Sequence, residues 1–285
     1  MAVKLMVDSA SDIDLEEAKA LDVVLMSLSV QFGDEQYLDG VDLNSQAFFE
    51  KLIERDELPV TSQITPFQFE EQFQALTADG SSVVVITLSE KLSGTYASAV
   101  QAARDFPTVH VVDSQNVSIG ERLLLRYALR LHRKDWSAEA IAAELERVKG
   151  RIRLMALLDT LEYLQKGGRI SAVTAGVGTV LNIKPVISVV DGAVKLAGKA
   201  MGSKKGNNLL MQLVQKSGGI DFSMPYAAAY SGLDDSLLQK YLRDSAELWR
   251  GEMDAVPAYC IGSTIGTHAG PGAIGVAFFA PEREV

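Results

Sequence analysis

The run Val83-Val84-Val85-Ile86-Thr87-Leu88 constrains this chain more than any other stretch. Continuous apolar character leaves no solvent face, which describes a strand buried on both sides in a parallel sheet. A parallel strand needs helical crossovers, and the flanking sequence supplies them. The reading is a strand at Val3–Val7, a helix from Leu15 capped by Asp14, and a second strand from Val23 to Val30, near an edge. A helix starts at Asn44 or Ser45 and runs through Ile53, and another opens at Thr65-Pro66. After the apolar run come a loop, Ser89 to Gly94, a helix from Thr95 to Arg104, a strand at Val109–Val112 and a helix from Val117 to His132. Alternation of this kind predicts an α/β domain with a mostly parallel sheet. Ligands of such sheets favour the carboxyl ends of the strands, where Asp8-Ser9, Ser89–Gly94 and Asp113-Ser114 fall.

The second half reads as mixed α/β with antiparallel pairs. A helix from Ser137 to Lys149 links the halves, placing an N-terminal domain at 1–150 and a C-terminal one at 151–285. Asp191-Gly192 between Ile183–Val190 and Ala193–Ala197 signals a type I′ hairpin. Gly198–Gly206 is polar and glycine-rich, helices are expected at Asn207–Gln215 and Leu233–Trp249, and strands at Tyr226–Tyr230, Tyr259–Ser263 and Ile274–Phe279.

Charge narrows the function. With 37 acidic and 27 basic residues the formal charge is −10, which disfavours nucleic-acid or anionic-membrane binding. The single cysteine, Cys260, permits no intrachain disulfide and fits a reducing, cytoplasmic setting. No apolar run is long enough to span a bilayer, and no signal-peptide layout opens the chain. Nucleotide-binding P-loop, nucleophile-elbow and Cys-x-x-Cys patterns are missing.

Several polar groups remain as candidates. Ser93-Gly94-Thr95, between a strand and a helix, offers a hydroxyl and helix-start N–H groups to an anion, or caps the helix. Thr61-Ser62-Gln63 precedes another helix, where turn chemistry is the plainer reading. Asp8-Ser9 and Asp113-Ser114 suit loop fastening better than a metal. Arg169 follows the helix-stopping pair Gly167-Gly168 and has the fork for a carboxylate. His268, in the glycine-rich segment Gly262–Gly272, either fixes its own loop or serves an oxyanion or a proton.

Seven segments in order resemble the DegV family of bacterial lipid-binding proteins: Val7 through Asp12, Thr61–Pro66, Leu92–Tyr96, Val112–Ser114, Leu161–Ile170, Asn182–Pro185 and Gly266–Gly272. The family often carries proline where this chain has Ile64, a departure that bears on the turn rather than on the hydroxyls. The resemblance implies two α/β domains holding one long-chain fatty acid, without a cofactor or metal. It places the carboxylate at Thr61, Ser93 and Gly94, with Ser62, Arg169 and His268 near the head group. It further implies a separate ATP-binding kinase subunit that converts the bound acid to an acyl phosphate. In that transfer a cation or imidazole beside the carboxylate can steady the growing charge, a role read for Arg169, with His268 orienting the acyl phosphate. A lipid carrier or sensor without a kinase, and a standalone esterase built on Ser93 and His268, are the alternatives.

Overall fold

The apolar run forms β6 (Ser82–Thr87), an inner strand of a four-stranded parallel sheet with order β2-β1-β6-β7. Here β1 is Val3–Asp8, β2 is Val23–Met26 and β7 is Val109–Asp113. Alternate β6 residues serve different cores. Val84 and Ile86 pack with Leu5 and Val7 on one face, while Val83 and Val85 pack with Met6 on the other. The computed structural model describes residues 2–170 and 182–282.

Helices α1 (Leu15–Ala20), α2 (Ser45–Glu54), α3 (Pro66–Thr77) and α4 (Thr95–Ala102) follow the expected starts. Thr65 and Gln68 close a complete capping box on α3, with Pro66 in its first turn. The segment 23–30 is not one strand. β2 ends at Met26, and Ser29–Phe32 is β3 of a separate antiparallel sheet, ordered β4-β3-β5, with β4 at Glu35–Leu38 and β5 at Val60–Ser62. Ser9 Oγ accepts from the Leu28 N–H at the break, fastening the chain where it changes sheet.

The helix expected at 117–132 begins two residues later, as α5 (Ile119–His132). Leu123, Leu124, Leu125, Leu129 and Leu131 are all buried around it. Its broad apolar face must be covered, while Arg130 stays exposed on the other side. α5 lies between the parallel sheet and a second sheet of six strands, ordered β10-β9-β8-β13-β11-β12. After α6 (Ala138–Val148) come β8 (Ile152–Leu157), α7 (Glu162–Lys166), β9 (Ile183–Val190) and β10 (Ala193–Met201). Then follow α8 (Gly202–Lys216), β11 (Tyr226–Tyr230), α9 (Ser236–Asp244), β12 (Ala258–Cys260), α10 (Ser263–Ala269) and β13 (Ile274–Phe279). Leu154, Ala277 and Phe279 face α5, whereas Met155, Val276 and Phe278 face the other way, toward Leu210 of α8 and Leu238 of α9.

Asp191 (φ 50°) and Gly192 (φ 77°) make the expected tight turn between β9 and β10. The glycine-rich stretch 198–206 is regular, however, because β10 runs to Met201 and α8 starts at Gly202. Close packing accounts for two of its glycines: a Cβ at Gly198 would meet Leu209 at 2.9 Å, and one at Gly206 would meet Leu157 at 2.8 Å. The helix expected at 233–249 breaks into α9 and a 3-10 turn, Ala246–Trp249. Ser245 at the break donates to the Tyr241 carbonyl and accepts from the Trp249 indole.

Candidate functional site

His268 is not in a loop. It occupies the last turn of α10, and the strand expected at 259–263 ends at Cys260 to make way for that helix. Asp39 provides the physical reason. Its buried carboxylate accepts from the Ser263 N–H, the Ser263 hydroxyl and the Thr264 N–H, at 2.9, 2.6 and 3.2 Å. Those are donors that a helix start leaves unpaired. Asp12 accepts from the Gly262 N–H one residue earlier, at 2.8 Å. Gly266 lets α10 sit against α2, since a Cβ there would lie 2.4 Å from Phe48. Gly270 (φ 69°) ends the helix.

The imidazole so placed meets Thr61 of β5: Thr61 Oγ1 and His268 Nε2 are 3.1 Å apart. Nδ1 is buried without a hydrogen-bond partner among the described residues. It lies over Gly167, where a Cβ would fall 2.2 Å from it. Burial, and secondly the charge of Arg169, hold the His268 pKa down at about 4, so the ring is neutral at pH 7.

Arg169 owes its place to the end of α7. The Gly168 N–H bonds to the Gln165 carbonyl and the Arg169 N–H to the Leu164 carbonyl, with Gly168 left-handed at φ 71°. This is a Schellman ending, which turns the chain sharply after the helix. The guanidinium donates to the Leu92 carbonyl from Nε at 3.2 Å and to the Gly167 carbonyl from Nη1 at 2.6 Å. Among the described residues its partners there are backbone carbonyls, and burial lowers its pKa.

Leu92 leads directly into Ser93. The Ser93 and Thr95 hydroxyls are 3.0 Å apart, and Ser93 Oγ also accepts from the Thr95 N–H. Gly94 is the N-cap of α4 and supplies no side-chain cap. A Cβ on Gly94 would strike the Gln63 carboxamide at 2.1 Å, and Gln63 Nε2 donates to Ser98 Oγ. Gln63 therefore ties the end of β5, which carries Thr61, to α4, the helix that follows Ser93-Gly94. Its sequence signal was only its place beside two hydroxyl residues. Ser62 is exposed. Ser93 bonds within its own turn and His268 bonds Thr61, so neither contact is the serine–histidine bond an esterase requires.

The remaining sequence candidates act as fasteners. Asp8 accepts from the Ala10 and Leu88 N–H groups, and Asp113 from that of Gln115. Burial pushes Asp8 and Asp12 up to about 7 and Glu121 well above the usual carboxylate range. Among the described residues no three His, Cys, Asp or Glu side chains are arranged to hold a metal ion.

His268 and Arg169 stand on the wall of a narrow cavity, which gives the centre of a water-sized sphere about 90 Å³ to move in. Aliphatic side chains form nearly all the rest of its lining, from Leu92 and Ile265 across to Leu154, Ile187 and Val189. The space lies between the start of α5 and the inner face of the six-stranded sheet. One polar cluster on a long apolar cavity can hold an amphiphile with a small anionic head.

The DegV family model matches residues 2–281, and a DegV domain-containing protein of Caldanaerobacter subterraneus is 33% identical over 97% of this chain and 98% of its own. The chain belongs to the DegV family. The DegV fold is equally plain in solved structures. A fatty-acid-binding DegV family protein from Thermus thermophilus superposes with a TM-score of 0.87 at 30% identity, covering 99% of this chain and all of that one. A stearic acid-binding protein from Eubacterium ventriosum gives 0.84 at 26% identity, covering 97% of each chain. The sequence-derived α/β assignment, parallel sheet first and mixed sheet second, is the observed DegV architecture.

Proposed function

We propose that the protein binds one long-chain fatty acid and presents its carboxylate to a separate ATP-dependent kinase subunit. The observation that carries this reading is the apolar cavity with Arg169 and His268 at one place on its wall. Each methylene removed from water contributes about 0.8 kcal/mol, so the chain supplies most of the affinity. The Thr61 and Ser93 hydroxyls and the Gly94 backbone meet the carboxylate, with Ser62 at the rim. With Nε2 protonated, neutral His268 donates to Thr61 Oγ1 and leaves the Thr61 O–H to point at the ligand. His268 then orients the head group through Thr61.

In the transfer step a carboxylate oxygen attacks the γ-phosphorus of ATP held by the other subunit. The new O–P bond forms as the bond to ADP breaks, giving acyl phosphate and ADP. Arg169 stabilises charge on the transferred group, and His268 orients the product. The substrate brings its own nucleophile, so this chain needs no activated serine.

Thr61→Val tests the site. Palmitate affinity is expected to fall about tenfold to a hundredfold, matching about 1.5–3 kcal/mol for a hydrogen bond to a charged group. Acyl phosphate should form only when this protein, palmitate, ATP and the kinase subunit are combined. Binding without such turnover would make the protein a carrier or sensor. Hydrolysis of an ester by this protein alone would restore the esterase reading.

A further inference from the structure

Gly275 is buried in the middle of β13, and nothing among the described residues requires a glycine there. Its φ is not left-handed, so the backbone suits any residue. A Cβ would find only ordinary contacts, the Met155 carbonyl at 3.7 Å and Ala156 Cβ and Ile119 Cδ1 at 3.8 Å. Other buried glycines differ. At Gly120 and Gly266 a Cβ would come within 2.4 Å of a neighbouring side chain. Glycine also weakens a strand interior, and there it often marks close approach of another molecule.

Position supplies the missing reason. Gly275 lines the apolar cavity. Strand register sets it level with Ala156 of β8 on one side and Ala229 of β11 on the other, and Ile187 of β9 continues the row beyond Ala156. All four line the cavity, with Ile119 of α5 on the facing wall above Gly275. Adjacent strands are roughly 4.8 Å apart, so the row crosses the cavity floor over roughly 14 Å. Its lowest point is Gly275.

We propose that Gly275 is a specificity-determining residue whose missing side chain sets the length of acyl chain the cavity accepts. This rests on the fatty-acid reading above. The chain crosses the sheet at Gly275, and any side chain there removes room from the segment beyond.

The test titrates laurate, myristate, palmitate and stearate into the delipidated wild type, Gly275→Ala and Gly275→Val, with thermal melts as fold controls. The alanine variant has space to fold and carries the test even if the valine variant fails. The expected result is a shift toward shorter chains, larger for valine. Each methylene that no longer fits lowers affinity by about fourfold, so stearate loses far more than laurate. An unchanged length profile, or equal weakening of all four acids, overturns the proposal while leaving the fatty-acid reading intact. A wild type that binds none of the four overturns both.

Discussion

At the scale of single residues, the site depends on side chains that are absent as much as on those present. Thr61, Ser93, Arg169 and His268 were legible as polar groups in turn-forming sequence. Gly167 read only as a helix stop, although it makes the space that His268 occupies. That role depends on two segments meeting about a hundred residues apart in sequence, which local pattern does not carry. Gly167→Ala is therefore expected to displace the imidazole. Its pKa should rise from about 4 toward the ordinary 6.5, read by histidine NMR titration. The sign for stability follows. Between those values the unfolded chain binds a proton that the native protein excludes, so the wild type loses stability as pH falls from 6.5 to 4. The variant should lose this contribution to the slope. An NMR titration still near 4 would refute the packing argument.

At the scale of elements, what the sequence concealed was α10. Four glycines between positions 262 and 272 look like loop material, and local propensity disfavours a helix there. Asp39, far away in sequence, overrides that preference by meeting the helix's first donors from the end of the small three-stranded sheet. The same sheet carries Thr61 in β5, so one carboxylate holds together both halves of the Thr61–His268 contact. Asp39→Asn keeps the shape but offers one acceptor oxygen where there were two. The expected cost is about 1–3 kcal/mol of stability, measured by chemical denaturation. Palmitate affinity should fall as well, because His268 loses its register with Thr61. Lost stability with unaltered affinity would separate α10 from the site. Elsewhere element patterns were legible wherever one period ran unbroken, as in β6 and α5. They failed where a strand changed sheet, as at Met26–Ser29.

At the scale of the whole molecule, two sheets enclose α5, and the cavity opens between the start of that helix and the mixed sheet. The alternation of strands and helices made the parallel half legible. The cavity was not, because its lining is drawn from many separate segments. No helix among the described residues is long and apolar enough to cross a membrane. A ligand bound only by the folded protein raises its melting temperature with ligand concentration. The most direct test of a fatty acid seated in this cavity is native mass spectrometry of the protein, as purified and after delipidation and addition of palmitate. The expected result is a single added mass of one long-chain fatty acid, recovered as free acid on denaturation and less abundant in Thr61→Val. A protein that carries no lipid and takes up no palmitate contradicts it.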